Sequence, residues 1–152
     1  MNSQDIIQGI RAYIALDGQM VIVAADGTYL GIITADVSHP ESICNPQGNY
    51  GSIYSTTSTQ NPNSLYGGAH GIYSPYNPHC VQPPQLIVNN QNAGVISINP
   101  HLPQRERHDL NMILGILLGA RYSAKSMAEV VLDSYSQNRA TSAWLMNQTL
   151  GF

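Results

Sequence analysis

Residues 42–78 read SICNPQGNYGSIYSTTSTQNPNSLYGGAHGIYSPYNP, and this stretch contains a repeat with a period of 16 residues. Three copies of Ser-x-x-Asn-Pro follow one another, and the first two continue with Tyr50-Gly51 and Tyr66-Gly67. Proline disfavours the α region for the residue before it, and asparagine can close a turn with its own side chain. Each copy therefore predicts a turn. The serines and asparagines with this predicted structural role are Ser42, Asn45, Ser58, Asn61, Ser74 and Asn77.

The remainder of each repeat unit predicts a large ring beside a bend. The glycine of Tyr-Gly is free to take a positive φ, and residues 52–55 are expected to form a short extended piece. Because a fixed period usually indicates stacked units, one interpretation of residues 42–89 is three solenoid-like turns with Asn and Tyr ladders. The alternative is a long ordered excursion that clasps a sheet. Either arrangement needs the flanking segments as support.

The segments on both sides of the repeat predict one helix and two hairpins. Residues 3–16 place apolar side chains on one face at helical spacing. Asp26-Gly27 is a strong two-residue turn signal between two apolar runs, and residues 89–94 separate two more. The first strand is almost continuously apolar, which predicts an inner strand that is covered on both sides. The four predicted strands are residues 20–24, 28–34, 86–88 and 95–98.

The tail of the chain predicts helices. The first covers residues 104–121, and its middle is apolar nearly all round, so it lies either in a core or against a partner. Ser126 and Glu129 form a capping box for a second helix, and residues 138–150 predict a third.

These elements predict an α+β fold. It has an N-terminal helix, a small, mainly antiparallel sheet from two hairpins, a long ordered Tyr/Asn/Gly/Pro repeat between the hairpins, and a C-terminal bundle of two or three helices. Residues 1–103 hold the sheet and the repeat, and residues 104–152 form a helical segment packed on the same single domain.

The chain carries few charges. Only 10% of its residues are charged, its net charge is −3, and residues 42–104 are 63 consecutive uncharged positions. Nucleic acid and acidic membranes attract basic proteins, so this composition argues against both as partners. The longest apolar run, residues 112–120, is about half a membrane span. No signal peptide is seen, which predicts a cytoplasmic protein, or an extracellular one if a leader has been removed.

The order of these motifs resembles a family of bacterial proteins of uncharacterised function. The shared pattern is D-G-x-x-L-G, then S-I-x-N-x-x-G-x-Y-G-S-x-Y-S, then S-x-Y-N-P, and then P-P before an isoleucine-rich hairpin. The second repeat departs from it, since Gly-Gly-Ala-His follows Tyr66. The resemblance covers residues 26–103 and supports the predicted fold, and it implies no activity. The matching segments are residues 26–31, 42–55, 74–78 and 83–84.

The tyrosines of the repeat are the first candidates for a binding surface. Tyrosine offers a large contact area with a polar tip at low entropic cost, although the same rings could instead fill a region that is poor in Leu and Val. The apolar helix of the tail is a second candidate, because a small protein has few places to cover it on all sides. The predicted partner-binding residues are Tyr50, Tyr54, Tyr66, Tyr73, Tyr76, Leu114 and Leu118.

Catalytic and metal sites have weaker support. Cys44 and Cys80 are the only cysteines. A cytosolic chain would keep them as thiols, while an exported one could join them in a disulfide. Together with His70 and His79 they are zinc-competent side chains, but their spacing matches no zinc motif. The sequence therefore predicts no catalytic residue, no metal and no cofactor.

These observations favour a non-enzymatic interaction or scaffold module that binds a protein partner or itself, and not nucleic acid. A charge-free surface avoids the desolvation of ions on association, which suits a stable interface. Two alternatives stay open. One is a protein that binds small polar ligands such as glycans through aromatic rings and amide donors. The other is a Cys/His-dependent hydrolase or a metal-binding protein.

Overall fold

The described part of the chain falls into two compact units. The computed structural model of the protein describes residues 3–122. Contacts within the chain group residues 18–110 into one unit, which holds the sheet and the repeat. Within the described residues, the other unit comprises 3–17 and 111–122. The sequence predicts the α+β class, and the structure confirms it broadly.

The first hairpin confirms the prediction made from Asp26-Gly27. Residues Met20–Val23 (β1) pair antiparallel with residues Tyr29–Ile33 (β2). Gly27 has φ 88°, a conformation that glycine adopts without strain. On its other side β1 pairs antiparallel with residues Gln85–Val88, so it is the predicted inner strand of the five-stranded sheet. Its residues alternate between fully buried and half-buried.

The second hairpin is tighter than predicted. Residues Gln85–Val88 (β3) and Gln91–Ile96 (β4) are joined by Asn89-Asn90 alone, so the loop predicted over residues 89–94 is wrong. The two asparagines have φ 52° and 63°, the left-handed pair that a two-residue turn requires and that asparagine tolerates. Gly94, at φ 121°, lies inside β4 near the point where its register with β3 shifts.

The prediction of a helix from residue 104 is wrong at its start. Gln104–Glu106 form a single 3-10 turn, and Arg107–His108 (β5) pair parallel to β4. The second helix, Leu110–Tyr122 (α2), begins only after this strand. The sheet is therefore mixed, with one parallel pair added to three antiparallel ones.

The contacts of Arg107 explain why Arg107 and His108 form a strand and not the start of the helix. Its side chain is 5% exposed, and its guanidinium donates hydrogen bonds to the carbonyl oxygens of Asn99 and Leu102. Pairing with β4 and this buried hydrogen bonding are tertiary interactions that override the local preference for helix. The fully buried side chains of the four longer strands are Met20, Ile22, Leu30, Ile33, Leu86 and Ile96.

The helices of the second unit form their own core cluster. Residues Ser3–Ala15 (α1) confirm the predicted N-terminal helix. Ile10 of α1 and Met112 and Ile116 of α2 are buried in one cluster. In the described range, no helix combines the length and the apolar character that crossing a membrane requires. The predictions for residues 126–129 and 138–150, and with them the C-terminal bundle, lie outside the described residues.

Between β2 and β3 the chain forms a continuous series of β-turns, which we call the turn ribbon (residues 36–80). At each step a backbone N–H donates to the carbonyl oxygen three residues earlier. The ribbon therefore satisfies much of its backbone hydrogen bonding locally, as turns do. The extended piece predicted for residues 52–55 is wrong, because the N–H of Ser55 donates to the carbonyl of Ser52 and closes a turn.

Candidate functional site

The steps of the turn ribbon explain the 16-residue period of the sequence. Four successive turns advance by three residues each, and the next advances by four. At the longer step two amides, those of Gly51 and Ser52, donate to the carbonyl oxygen of Gly48, and the same arrangement recurs 16 residues later. The Tyr-Gly pairs lie at these longer steps. Each repeat unit is thus a set of five turns with one additional residue.

The residue that begins a turn commonly uses its side chain inside that turn. The Oγ of serine or the Oδ1 of asparagine accepts a hydrogen bond from the backbone N–H two residues later, which is the local bonding that favours these residues in turns. The distances at the six repeat residues are 2.9–3.0 Å. These residues are Ser42, Asn45, Ser58, Asn61, Ser74 and Asn77.

The repeat asparagines also hold the ribbon in a coil. Each Nδ2 donates to a carbonyl oxygen six residues earlier, at 2.9–3.1 Å. The hydroxyl of Ser58 reaches eight residues back, to the carbonyl of Tyr50, at 3.1 Å. The chain returns to itself after six to eight residues, which matches the stacked-turn interpretation better than a single excursion. The asparagines bond to the ribbon backbone and not to one another. The Nδ2 pairs are Asn45 with His39, Asn61 with Ser55, and Asn77 with Gly71.

The glycines of Tyr-Gly provide space and not a positive φ. Neither Gly51 nor Gly67 uses the freedom of glycine to take a positive φ. A Cβ at Gly51 would lie 2.1 Å from the carbonyl oxygen of Asn45, and one at Gly67 would lie 2.4 Å from that of Asn61. Successive coils of backbone therefore approach each other where only glycine fits.

Two tyrosines attach the ribbon to the first hairpin. The ring of Tyr50 meets that of Tyr29 edge-on, with centroids 5.2 Å apart and planes at 88°. The hydroxyl of Tyr66 donates to Oδ2 of Asp26 at 2.7 Å and lies 3.1 Å from the hydroxyl of Thr28. Burial, followed by a hydrogen bond with Glu41, raises the pKa of Tyr29 to about 12.

The start of the ribbon covers the outer edge of β2. The N–H of Ile32 donates to the carbonyl of Glu41 at 2.8 Å, and the N–H of Ile43 donates to the carbonyl of Ile32 at 3.0 Å. An uncovered edge strand would offer its backbone to another chain. These ribbon residues therefore occupy part of the outer edge of β2.

The predicted partner-binding tyrosines lie in two environments. Tyr54 is 85% exposed. The rings of Tyr66 and Tyr73 stack on each other, with centroids 6.0 Å apart and planes at 18°. The hydroxyl of Tyr76 accepts a hydrogen bond from Gln60 at 3.1 Å, and burial raises its pKa to about 12. Most of these rings therefore fill and attach the ribbon. The half-buried ones are Tyr50, Tyr66, Tyr73 and Tyr76.

The predicted partner-binding leucines of the tail lie on α2. Leu114 is 9% exposed and Leu118 is half-buried. This helix therefore presents less apolar surface at these two positions than the ribbon does at its most exposed ones.

An exposed apolar surface lies in the last third of the ribbon. The aliphatic side chains of Leu65, Ile72 and Val81 are 52%, 58% and 76% exposed. The N–H of Tyr73 donates to the carbonyl of Leu65 at 3.1 Å, which brings these two residues together. Ile72, Tyr73 and Val81 line one depression of about 250 Å³. We call Leu65, Ile72, Tyr73 and Val81 the apolar patch.

Sequence reasoning missed the three aliphatic members of this patch. A signal was available, because a large aliphatic residue is conspicuous in a segment built from Ser, Asn, Gly and Tyr. Leu65 and Ile72 follow directly on Ser64 and Gly71, which each begin a turn, and Val81 follows Cys80, which ends the last turn. No helical or strand period connects them, so only the coiling of the ribbon reveals that they are neighbours.

The described residues offer little support for the enzymatic and metal-binding alternatives. Cys44 and Cys80 are both free of disulfide bonds. Burial raises the pKa of the Cys80 thiol, which lowers its content of the nucleophilic thiolate, and Sγ donates to the carbonyl of Ile72. Among residues 3–122, no three His, Cys, Asp or Glu side chains lie close enough together to hold a metal ion.

Tyr66→Phe is expected to raise the pKa of Asp26 toward its ordinary value. The hydrogen bond from Tyr66 is the largest cause that lowers this pKa, ahead of the N–H of Thr28. A depressed folded-state pKa adds stability above the unfolded-state pKa, and that stability is lost as the pH falls through the folded-state pKa. The variant should therefore lose less stability than the parent between neutral and acidic pH. NMR titration of the Asp26 carboxyl group measures the shift.

Tyr73→Phe is the control for this substitution. It preserves the stacked pair of rings and leaves the hydrogen bond between Tyr66 and Asp26 in place. An equal shift of the Asp26 pKa in both variants would mean that the hydrogen bond from Tyr66 does not lower this pKa.

Comparison with known proteins finds no match: no family model fits the chain, and no curated protein and no solved structure is similar to it. The resemblance of residues 26–103 to an uncharacterised bacterial family therefore stays a prediction. The function has to be argued from the surface of the ribbon.

Proposed function

We propose that the protein is a non-enzymatic interaction module that binds a protein through the outer face of the turn ribbon. The observation that carries this proposal is a contrast within the ribbon. Its serine and asparagine side chains are used in internal hydrogen bonds, while Leu65, Ile72 and Val81 are more than half exposed. Contiguous exposed apolar surface of this kind marks interaction sites in soluble proteins.

Burial of the apolar patch would be favourable because little opposes it. Each Å² of apolar surface removed from water contributes about 25 cal/mol. The residues from 42 to 104 contain no ion that would have to be desolvated. The amide of Asn77, beside the patch, already donates to Gly71 and accepts from His79, so its partners need not come from water.

The glycan-binding alternative is weakened by the same internal bonding. It relies on amide donors next to aromatic rings, and the amides of Asn45, Asn61 and Asn77 are directed to backbone carbonyls of the ribbon. We favour a cytoplasmic location, since no disulfide joins Cys44 and Cys80 and Cys80 is buried as a thiol.

A photo-crosslinking amino acid at Val81 tests the proposal. Val81 is 76% exposed and lies in the patch, so in the native host cells it should yield one discrete protein adduct. The double substitution Leu65→Ser with Ile72→Ser should reduce the yield at least about fivefold, since two apolar contacts contribute about 1–3 kcal/mol together.

Gln47 provides the matched control position. It is exposed on the ribbon but belongs to the first repeat unit, away from the patch in sequence. No adduct from Val81, or the same adduct with equal yield from Gln47, would contradict a binding surface at the patch.

A further inference from the structure

We propose that the apolar patch binds the same patch of a second copy of this chain, which gives a symmetric dimer. This inference rests on the proposed function, because it names the partner of the same surface. In a two-fold symmetric interface each residue near the axis lies opposite its own equivalent. The surface must therefore be compatible with itself in shape, polarity and charge.

Charge is the property that separates a copy of the chain from other partners. A charged residue near the axis would face an identical charge, and like charges in close contact cost several kcal/mol. The patch belongs to a stretch in which residues 42–104 carry no formal charge at neutral pH. Conversely, a surface without charge offers no ion pair through which a different protein could be selected. Self-recognition needs no such pair.

Asp26 fixes which side of the patch can lie at the axis. Its carboxylate accepts the hydroxyl of Tyr66, whose ring stacks on Tyr73. Two copies of this carboxylate brought together would repel each other. The axis therefore lies toward Ile72 and Val81, the side that lines the depression and is most exposed.

The polar groups around Ile72 and Val81 permit this contact. The thiol of Cys80 donates to the carbonyl of Ile72 at 3.3 Å. The side chain of Asn77, which also lines the depression, makes its hydrogen bonds within the ribbon. Two further polar side chains of the depression, His79 and Gln82, are exposed, and the contact has to leave them in water at its edge.

The size of the patch sets the strength of the dimer. Three half-exposed aliphatic side chains and part of a tyrosine amount to a patch of roughly 300–600 Å². This is below the about 800 Å² per partner of a stable complex. The dimer should accordingly be weak, with a Kd between about 10 μM and about 1 mM.

Sedimentation velocity over protein concentrations from about 10 μM to about 1 mM measures this equilibrium. The weight-average sedimentation coefficient of the full chain should rise with concentration. Because the contact is apolar, raising the salt concentration should not weaken the association, whereas contacts between ions would weaken. Ile72→Lys should raise the Kd at least about tenfold, because a lysine would face a lysine across the axis.

Ile53→Lys is the matched control. Ile53 is 54% exposed and also lies in an uncharged turn of the ribbon, but it is not a member of the patch. It should leave the Kd unchanged, and equal thermal midpoints of the two variants would show that both are folded. Val81→Lys serves as a second patch variant if Ile72→Lys does not fold.

An equimolar mixture of Ile72→Lys with Ile72→Glu tests the symmetry. Each variant alone should be monomeric, while the mixture should associate at low salt, since opposite charges then meet across the axis.

A strictly monomeric parent at about 1 mM overturns the dimer. Equal weakening by Ile53→Lys, or no recovery in the mixture, overturns this interface. If the parent is monomeric while Val81 still crosslinks to a different protein, the proposed function stands and only self-association fails.

Discussion

Gly51→Ala is expected to lower the free energy of unfolding of the ribbon unit by at least about 3 kcal/mol. A Cβ at this position would lie 2.1 Å from the carbonyl oxygen of Asn45 and 2.7 Å from its backbone carbon and nitrogen. Those atoms belong to the main chain of the neighbouring coil, so no side-chain rotation can relieve the overlap. The two coils would have to separate, which would also break turn hydrogen bonds.

Urea denaturation followed by near-ultraviolet circular dichroism measures this loss, since the ribbon contains Tyr50 and Tyr66. Gly67→Ala should behave in the same way, because its Cβ would lie 2.4 Å from the carbonyl oxygen of Asn61. Gly115→Ala is the control: nothing lies within 4 Å of its Cβ, and in helix α2 alanine should be neutral or stabilising by up to about 1 kcal/mol. A loss below about 1 kcal/mol at Gly51 would contradict the close approach of the coils.

The elements that the sequence predicted correctly are those with a local cause. Asp26-Gly27 closes the first hairpin through the conformational freedom of glycine, and Asn-Pro sets turns through the steric demand of proline. The helix of residues 3–15 follows from an apolar face at helical spacing. None of these causes depends on residues that are distant in the chain.

The turns of the ribbon, which follow one another every three residues, also have a local cause. The 16-residue repeat hides this shorter spacing in the sequence. The additional residue at Gly51 and Gly67 shifts the register of the steps, so a search at a single spacing finds only the 16-residue repeat. The sequence nevertheless carries the signal, because the first residues of the turns from 42 to 77 are all Ser, Asn or Gly. They are Ser42, Asn45, Gly48, Ser52, Ser55, Ser58, Asn61, Ser64, Gly68, Gly71, Ser74 and Asn77.

Other features depend on contacts between distant parts of the chain. Arg107 lies in a strand because its backbone pairs with β4 and its side chain donates to the carbonyl oxygens of Asn99 and Leu102. Similarly, Leu65 and Val81 become members of one patch through the coiling of the ribbon. The sequence predicts binding tyrosines, but whether a ring is exposed, as at Tyr54, or attached to the hairpin, as at Tyr66, depends on the fold.

Asn61→Asp is expected to destabilise the ribbon unit by about 3 kcal/mol at pH 7. Asn61 is 7% exposed, and its Nδ2 donates to the carbonyl of Ser55 at 2.9 Å. An aspartate keeps the oxygen that accepts from the N–H of Asn63, but it turns the donor into a second oxygen. A negative oxygen would then face the carbonyl oxygen of Ser55 in a buried position, where the two oxygens repel each other and no donor lies between them.

The pH dependence of this variant separates the lost donor from a general loss of packing. A protonated aspartic acid regains a donor toward Ser55, so burial and the facing carbonyl should raise its pKa in the folded state. A raised folded-state pKa favours the folded protein below the unfolded-state pKa, and this advantage is lost as the pH rises through the folded-state value. The difference in unfolding free energy between variant and parent should therefore shrink as the pH falls from about 8 to about 4.

Asn63→Asp, on an exposed side chain, is the control, and its unfolding free energy should stay within about 0.5 kcal/mol of the parent's throughout. A deficit in Asn61→Asp that does not change with pH would mean that the amide of Asn61 fills space and does not hold the coil.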